Sequence, residues 1–475
     1  MLEEELLQLV EKVISEKCEQ QHIELKRASG GTPTKLYDTL SSFSNQLDGG
    51  TIIFGIDEEA AYQVVGVYDV QDLQKKVMEQ SLQMEPVVRP LFTVAHIDDK
   101  LVVSAEISEC DIYDKPCFYK GAGRLRGSYI RVGDSDQPMT EYEIYSFEAF
   151  KRNIHDELRT VDRAAKKNLS RDNTTEYLIK LRRQKQNLVN LEDDRILETQ
   201  GICQDNAPTL AGLMLLGEYP QEFFPQLSVT AMVVQGTQIG ELGDDGERFV
   251  DNKRIEGTIP QMLEGTLAFV RRNMKVKTIV TEEGKRADKP EYPIKAIREI
   301  ILNALIHRDY SVHTDHSPIR LVMFEDRLEL ENPGGLYGRI TVDDLGKTSA
   351  DTRNPYLAGA LEIMIDTENR FSGIPTIKAE LKKAGLSPPL FIDRRGVFKV
   401  IFYKKIVSQT SENKITQDIL NYCATPRSRE ELAKHFGFEA PTYFIKTYIS
   451  PLLADGSIKM TLPNKPKSKF QKYYS

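Results

Sequence analysis

The sequence of 475 residues lacks several features that would place it in a familiar class. Its five cysteines are scattered and form no Cys-x-x-Cys pair, which argues against a zinc site and against a disulfide framework. No apolar run approaches the roughly 18–20 residues that a transmembrane helix needs, so we expect no membrane partner. Internal repeats and long low-complexity stretches are missing as well. Together these absences favour a reducing, cytoplasmic location.

An excess of positive charge is also missing, because the formal net charge is −8. This charge argues against a purely electrostatic coat for nucleic acid, so any nucleic-acid contact must use a local basic patch. The first twenty residues predict an acidic amphipathic helix rather than a signal peptide. At roughly 100–200 residues per domain, the length predicts about three domains.

The alternation of elements predicts an α+β multidomain protein. Residues 1–140 mix short strands and helices in one unit, and residues 141–200 are helical and heavily charged, which is typical of a connector. Residues 201–405 form a second mixed region. Residues 406–475 begin with a polar linker (406–414) and then predict three helices followed by a hairpin, the order of a winged helix-turn-helix.

The segment "IREIILNALIHRDY" (297–310) predicts a helix with two distinct faces. Its apolar residues recur at helical spacing and would pack on a core. Glu299 and Asn303, one turn apart, lie on the other face. In an ATP site without a P-loop, a carboxylate polarises the attacking water and a carboxamide oxygen holds Mg²⁺. The alternative is an ordinary solvated helix face.

A second pattern follows about thirty residues later, in "ELENPGGLYG" (329–338). A strand ends at Asn332 and is followed by Gly334 and Gly335, which let backbone approach a base and phosphates closely. By contrast, the Gly-Lys-Thr of "TVDDLGKTS" lacks the upstream glycine and the strand of a P-loop, so we reject it as a phosphate site.

Two segments are basic without a compensating acid. Between residues 115 and 131, cationic side chains are interleaved with aromatic rings, which suits phosphates and stacked bases; the alternative is a solvated hairpin. These cations are Lys115, Lys120, Arg124, Arg126 and Arg131. The C-terminal module adds wing lysines and a candidate recognition helix; the alternative is a protein-interaction module. The candidate DNA contacts there are Thr442, Lys446, Lys465, Lys467 and Lys469.

The segments "REIILNALIHRDY", "LELENPGGLYG" and "TRNPYLA" resemble the divergent ATP-binding domain of the gyrase, chaperone, histidine kinase and MutL superfamily (GHKL-like). They resemble especially the version that follows a Schlafen AlbA-like domain in bacterial regulators. The resemblance implies ATP and Mg²⁺ as cofactors, Glu299 as the base of a possible weak ATPase, and Asn303 as the Mg²⁺ ligand. It places the adenine contact at Asn332, an amide where the family has an acid.

The same resemblance places the first glycine motif at Gly334 and Gly335. It places the second glycine motif at Phe371-Ser372-Gly373, which has one glycine fewer than the family pattern.

The segments "IELKRA", "LSSFSNQLDGGTIIFGIDEE" and "KPCFYKGAGRLRGSYIRVG" resemble the Schlafen AlbA-like domain over about 135 residues. This resemblance implies nucleic-acid binding. Some Schlafens cut RNA with three acids, which would correspond here to Glu19, Glu24 and Asp57 and could hold a divalent metal. The alternative is that these acids are ordinary strand and turn residues.

The leading hypothesis is a nucleotide-binding, DNA-binding transcriptional regulator in which ATP switches or links protomers of a homo-oligomer. The second hypothesis is a metal-dependent RNA or DNA endonuclease that uses Glu19, Glu24 and Asp57, with phage defence as its candidate role. A third is a scaffold with a decayed ATP site. The sequence leaves all three open.

Overall fold

The computed structural model describes residues 1–19, 21–241, 246–280, 286–348, 351–365, 373–394, 396–404, 419–420, 422–436, 444–454, 457–462, 468 and 471–474. The chain divides into two compact units, Met1–Ile154 and His155–Ser475. Within the described ranges, no helix is both long and apolar enough to cross a membrane.

The first unit contains five helices and ten strands in its described part. The helices are α1 (Glu3–Glu16), α2 (Tyr37–Asn45), α3 (Val70–Ser81), α4 (Gly123–Gly127) and α5 (Glu141–Lys151). The strands are β1 (Ile23–Lys26), β2 (Gly50–Phe54), β3 (Ile56–Asp57), β4 (Gln63–Val64), β5 (Met84–Glu85), β6 (Leu91–Ile97), β7 (Lys100–Ile107), β8 (Phe118–Tyr119), β9 (Tyr129–Val132) and β10 (Ser135–Pro138).

A four-stranded sheet of order β1-β2-β7-β6 organises the first unit, with β1 parallel to β2 and the other pairs antiparallel. Successive side chains of a strand point to opposite faces. Ile52 and Phe54 therefore join a core with α2 and α3, while Ile53 packs against α1 on the other face. Helix α1 has buried apolar residues at Leu6, Val10 and Val13, as its helical spacing requires. Helices cover both faces of the sheet.

The second unit begins with helices and then builds a larger sheet. Its helices are α6 (Arg171–Gln184), α7 (Asp193–Thr199), α8 (Leu210–Leu216), α9 (Ile259–Asn273), α10 (Ile294–His307), α11 (Pro355–Ile365) and α12 (Gly373–Ala384). Its strands up to the linker are β11 (Cys203–Gln204), β12 (Ala207–Pro208), β13 (Val229–Val234), β14 (Phe249–Ile255), β15 (Val276–Val280), β16 (Arg286–Pro290), β17 (Ile319–Met323), β18 (Arg327–Pro333), β19 (Leu390–Arg394) and β20 (Val397–Tyr403).

Six of these strands form one sheet in the order β14-β13-β17-β18-β20-β19. Strands β13 and β17 are parallel, and every other neighbouring pair is antiparallel. One face packs on α9, α10 and α12 in a core that includes Leu321, Leu330 and Phe402. The opposite face is charged at β18 and β20, where Lys399 Nζ lies 3.0 Å from Glu329 and 2.9 Å from Glu331. The helical face is therefore the side on which α10 meets the sheet.

The C-terminal module follows the second unit's sheet. Its described elements are β21 (Arg427–Ser428), α13 (Arg429–His435), a π-helix (Ile445–Ile449), α14 (Ser450–Ala454), β22 (Lys459–Met460) and β23 (Lys472–Tyr474). The strands form a sheet of order β21-β23-β22, and the module packs on Ile401 and Tyr403 of β20. The first of the three predicted helices lies largely outside the described residues. The winged helix-turn-helix therefore stays a prediction.

The charged segment 141–200 is divided rather than continuous. Helix α5 ends at Lys151 within the first unit, and 3₁₀ turns at Asp156–Leu158 and Lys166–Asn168 precede α6. Helix α6 then buries Tyr177, Leu178 and Leu181 in the core of the second unit. Three buried positions among many charged ones are a weak pattern, which is why the sequence predicted only connector or interface helices here.

Candidate functional site

Helix α10 presents the two faces that its sequence predicts. Its apolar residues are buried in the core of the second unit: Ile297, Ile300, Ile301, Ala304 and Leu305. Glu299 and Asn303 are half-buried on the other face. They face the start of α12, where a Cβ added to Gly373 would lie 3.2 Å from Glu299 Oε2 and 3.0 Å from Asn303 Nδ2. The fold thus brings three of the predicted site residues together.

The polar groups of this first cluster have few partners among the described residues. Neither Glu299 nor Asn303 makes a side-chain hydrogen bond with a described residue. Burial raises the pKa of the Glu299 carboxyl above its usual range, and the neighbouring Arg298 opposes that shift. A carboxyl whose pKa is moved toward neutrality is suited to general-base work. Carboxamide and carboxylate oxygens one turn apart suit Mg²⁺.

A second cluster lies where β18 ends. Asn332 shares a strand face with Leu328 and Leu330, so its side chain points toward the helices. Asn332 is 3% exposed, and its Oδ1 is buried without a hydrogen-bond partner among the described residues. A buried acceptor left unpaired is costly, and a ligand that donates a hydrogen bond would satisfy it. The exocyclic amine of adenine is such a donor.

The two glycines after β18 make a tight turn against neighbouring side chains. Gly334 has a φ of +101°, and a Cβ there would lie 2.5 Å from Arg353 Nη1 and 2.6 Å from Asp309 Cβ. At Gly335 a Cβ would lie 2.7 Å from Asp393 Oδ1. Gly334 therefore excludes a side chain by conformation and by space, whereas a side chain at Gly335 would require only the exposed Asp393 carboxylate to move.

Asp309 and Arg353 hold this turn, and sequence reasoning gave neither of them a role. The Asp309 amide donates to Pro333 O at 3.0 Å, and Arg353 Nη1 lies 3.1 Å from Asp309 Oδ2. Arg353 Nη2 also donates to Gly335 O at 3.4 Å. Both side chains are buried. The sequence signal for these two residues was their position. Asp309 in "HRDY" directly follows α10, and Arg353 in "TRNPYLA" directly precedes α11.

The two clusters lie at successive positions along α10. The helix rises about 1.5 Å per residue, so Asn303 is roughly 6 Å along the axis from the last residue, His307, and Asp309 follows directly. Of the predicted second glycine motif, Phe371 and Ser372 lie outside the described residues.

The three acids predicted in the first unit are held by cations. Glu19 Oε2 and Glu24 Oε2 lie 3.5 Å and 2.8 Å from the guanidinium of Arg131. Asp57 lies 3.4 Å from Arg27 Nε, apart from the other two. Among the described residues, no three His, Cys, Asp or Glu side chains are grouped to hold a metal ion. Metal binding by Glu19, Glu24 and Asp57, and nucleic-acid cleavage with it, therefore stay predictions.

The basic segment 115–131 is only partly on the surface. Arg131 is 4% exposed and lies 3.0 Å from Asp136 in addition to the two glutamates, so reaching a phosphate would break these pairs. Lys115 is also buried, with Nζ 2.5 Å from Glu109. Lys120 and Arg126 are exposed, and Arg124 is half-buried beside Glu148.

Two aromatic rings lie next to the exposed cations. Tyr37 and Tyr119 stack with ring centroids 3.8 Å apart and an interplanar angle of 15°. We name this surface the basic corner and define it by Tyr37, Tyr119, Lys120, Arg124 and Arg126. Tyr37 is distant in sequence from the others, so no local pattern could have included it. The candidate DNA contacts in the C-terminal module all have side chains outside the described residues: Thr442, Lys446, Lys465, Lys467 and Lys469.

Three segments of the chain match models of known families. Residues 316–402 match "Putative ATP-dependent DNA helicase recG C-terminal", residues 19–140 match "Schlafen, AlbA_2", and residues 416–474 match "Filamentation induced by cAMP protein Fic-like, C-terminal domain". The chain thus carries an AlbA_2 domain and an ATPase-like domain. The two resemblances drawn from the sequence are confirmed at this level. The first match covers Asn332, Gly334, Gly335 and Arg353, whereas Glu299 and Asn303 precede it.

Two solved structures align with this chain, one over most of its length and one over part of it. The DIP2311 protein from Corynebacterium diphtheriae is 17% identical, with 93% of this chain and 92% of that chain covered and a TM-score of 0.41. The N-terminal domain of a "Putative ATP-dependent DNA Helicase RecG-related Protein" from Nitrosomonas europaea is 26% identical, with 28% and 92% covered and a TM-score of 0.23. Scores this low carry no conclusion about fold or function. No curated protein matches the chain.

Proposed function

We propose that this protein binds ATP with Mg²⁺ in its second unit and binds DNA as a transcriptional regulator. The nucleotide-binding region would span residues 201–405, with Glu299 and Asn303 at the phosphates and Asn332, Gly334 and Gly335 at the base. The observation that carries the proposal is Asn332 Oδ1, a buried acceptor without a partner among the described residues, at the end of a glycine turn. The ATPase-like match over residues 316–402 supports it.

Nucleic-acid binding would use the basic corner of the first unit and the C-terminal module, residues 406–475. The AlbA_2 match and the exposed Lys120 and Arg126 support the first of these surfaces. Cations contact phosphates and the stacked tyrosines offer faces to bases. Nucleotide binding would switch or link protomers of a homo-oligomer, which is how the two activities would be connected.

Calorimetry with ATP in the presence and absence of Mg²⁺ tests the nucleotide site. We expect wild-type protein to bind Mg-ATP, and Asn303→Ala to lose the Mg²⁺-dependent part of the affinity. Alanine is the best helix former and the apolar face of α10 is untouched, so the fold should be unaffected. Asn252→Ala, on the exposed part of edge strand β14, is the control and should bind like wild type. Equal affinity in wild type and Asn303→Ala would contradict the assignment.

A further inference from the structure

Glu157 is a buried carboxylate far in sequence from the helix that it caps. It lies in the 3₁₀ turn just after the end of the first unit and is 0% exposed. Its Oε1 accepts from the amide of Tyr356 at 3.0 Å, and its Oε2 accepts from the amide of Leu357 at 2.8 Å. These are first-turn amides of α11, which have no partner within the helix. Among the described residues, Glu157 has no cation beside it.

The residues directly before α11 bind the end of α10. Asn354 is 0% exposed, and its Nδ2 donates to Ile306 O at 2.8 Å and to Arg308 O at 2.7 Å. These carbonyls belong to the last turn of the helix that carries Glu299 and Asn303 and to the residue after it. The carboxamide therefore ties the start of α11 to the end of α10.

Arg353, the next residue back, holds the glycine turn. It contacts Asp309 Oδ2 and Gly335 O, and its guanidinium lies 5.0 Å from the ring centroid of Tyr337. The segment 353–357 thus makes three sets of contacts in succession. Arg353 holds the glycine turn, and Asn354 holds the end of α10. The amides of Tyr356 and Leu357 donate to Glu157.

The chain around Glu157 is attached to the same region at a second point. Arg159 Nη2 lies 2.7 Å from Asp315 Oδ2, in the loop that follows α10, and Arg159 O accepts from the Leu210 amide at 2.8 Å. On the other side, His155 Nδ1 lies 3.4 Å from Arg353 O. Residues 155–159 are therefore fixed on the loop and helix that flank the candidate nucleotide site.

We propose that Glu157 is a positioning residue for the nucleotide site and acts on it through Arg353. By capping α11, the Glu157 carboxylate fixes the position of Arg353, which lies just before that helix. Arg353 in turn holds the glycine turn that receives the base. Binding of a nucleotide and seating of Glu157 then favour one another, because coupling between two sites is reciprocal. This inference rests on the proposed nucleotide binding. The conformation of residues 155–159, at the start of the second unit, would then depend directly on the nucleotide state of the same unit.

A double-mutant cycle on Mg-ATP affinity, measured by calorimetry, tests the proposal. We expect Glu157→Gln, which keeps one acceptor and loses the other, to weaken binding by about 5-fold or more. Arg353→Lys keeps the charge but loses the planar fork, and should weaken binding at least as much. If Glu157 acts through Arg353, the double variant binds like Arg353→Lys alone. A merely structural defect would add to it instead.

Glu192→Gln is the matched control. Glu192 also precedes a helix, α7, but it is exposed and its side chain accepts no capping hydrogen bond. The Mg-ATP affinity of Glu192→Gln should therefore equal that of wild type. Unchanged affinity in Glu157→Gln, or additive losses in the double variant, would overturn the inference and leave the proposed function intact. No binding by wild type would overturn both.

A measurement on wild-type protein covers the case in which a variant does not fold. Hydrogen exchange of the Tyr356 and Leu357 amides, followed with and without Mg-ATP, should slow when nucleotide is bound, since the capped start of α11 is then held more firmly. Exchange that is the same at both amides with bound nucleotide would overturn the proposal. Slower exchange there, together with the non-additive cycle, supports it.

Discussion

Both units bring carboxylates of predicted sites close to other polar side chains, but the partners of these carboxylates differ. In the first unit, Glu19 and Glu24 converge on the buried guanidinium of Arg131, although burial and the neighbouring Glu24 raise the pKa of Glu19 to about 7. In the second unit, Glu299 and Asn303 make no side-chain hydrogen bond with a described residue. Both groups were predicted to be functional sites from their residue types alone. The partners that the fold supplies separate a self-contained ion-pair cluster from a site with capacity for a ligand.

Glu299→Gln should give the largest effect, and only on chemistry. Glutamine keeps the shape of the side chain and removes the base, so Mg-ATP binding should survive while any hydrolysis falls about 10²–10⁴-fold. Phosphate release and calorimetry on the same preparation separate the two quantities. If hydrolysis is present and unaffected, Glu299 is not the base, and the contrast between the two acid clusters loses its main support.

Arg131→Ala should destabilise the first unit strongly without touching nucleotide. It would leave Glu19, Glu24 and Asp136 close together and buried without their cation, and breaking a buried pair costs about 3–5 kcal/mol. Denaturant unfolding followed by a signal from the first unit measures the loss. Arg126→Ala, at an exposed position, is the control and should change stability little. A small loss in Arg131→Ala would mean that the cluster is not structural.

Glu157 offers a third case, an acid satisfied by amides alone. Burial raises its pKa from 4.5 to about 7, against the opposing hydrogen bonds from Leu357 and Tyr356. Because the folded state holds the proton more tightly than the unfolded state, this contribution to stability is full below about pH 4.5 and is lost as pH rises through 7. The total is roughly 3 kcal/mol. Glu157→Gln cannot titrate.

The unfolding free energy of wild type minus that of Glu157→Gln should therefore fall between about pH 5 and pH 8. Denaturant unfolding at several pH values measures this difference, and groups common to both proteins cancel. A difference that does not change with pH would show that the carboxyl titrates normally. In that case Glu157 would not differ from an ordinary carboxyl group in its effect on stability.

The smallest effect is expected at the basic corner. Replacing Lys120 and Arg126 by Ala should weaken nucleic-acid binding on all sequences and reduce the slope of log affinity against log salt by about two. Arg131, though equally basic in sequence, is buried and would not contribute to that slope. Fluorescence anisotropy with labelled oligonucleotides over a salt series measures it, and Lys115→Ala is the buried control. An unchanged slope would remove the corner from the interface.

Much of the second unit could be predicted because its signals are local. The helical spacing over 297–305, the hairpin of β17 and β18, and the glycine turn after Asn332 each depend on neighbouring residues. The partners of buried charges could not be predicted. Arg131 reads as one more surface cation until β9 places it against Glu24, and Glu157 meets α11 across 200 residues. No spacing rule encodes such contacts.

The parallel pair of β13 and β17 decides where this chain can be divided. Strand β13 lies between β14 and β17 in the sheet, and the connection from β13 to β17 includes α9 and α10. A fragment limited to residues 316–402, the stretch with the ATPase-like match, would leave β17 as a bare edge and uncover the apolar face that α9 and α10 protect. Such a fragment would aggregate rather than fold. The smallest expressible piece that keeps this sheet covered must therefore begin upstream of β13.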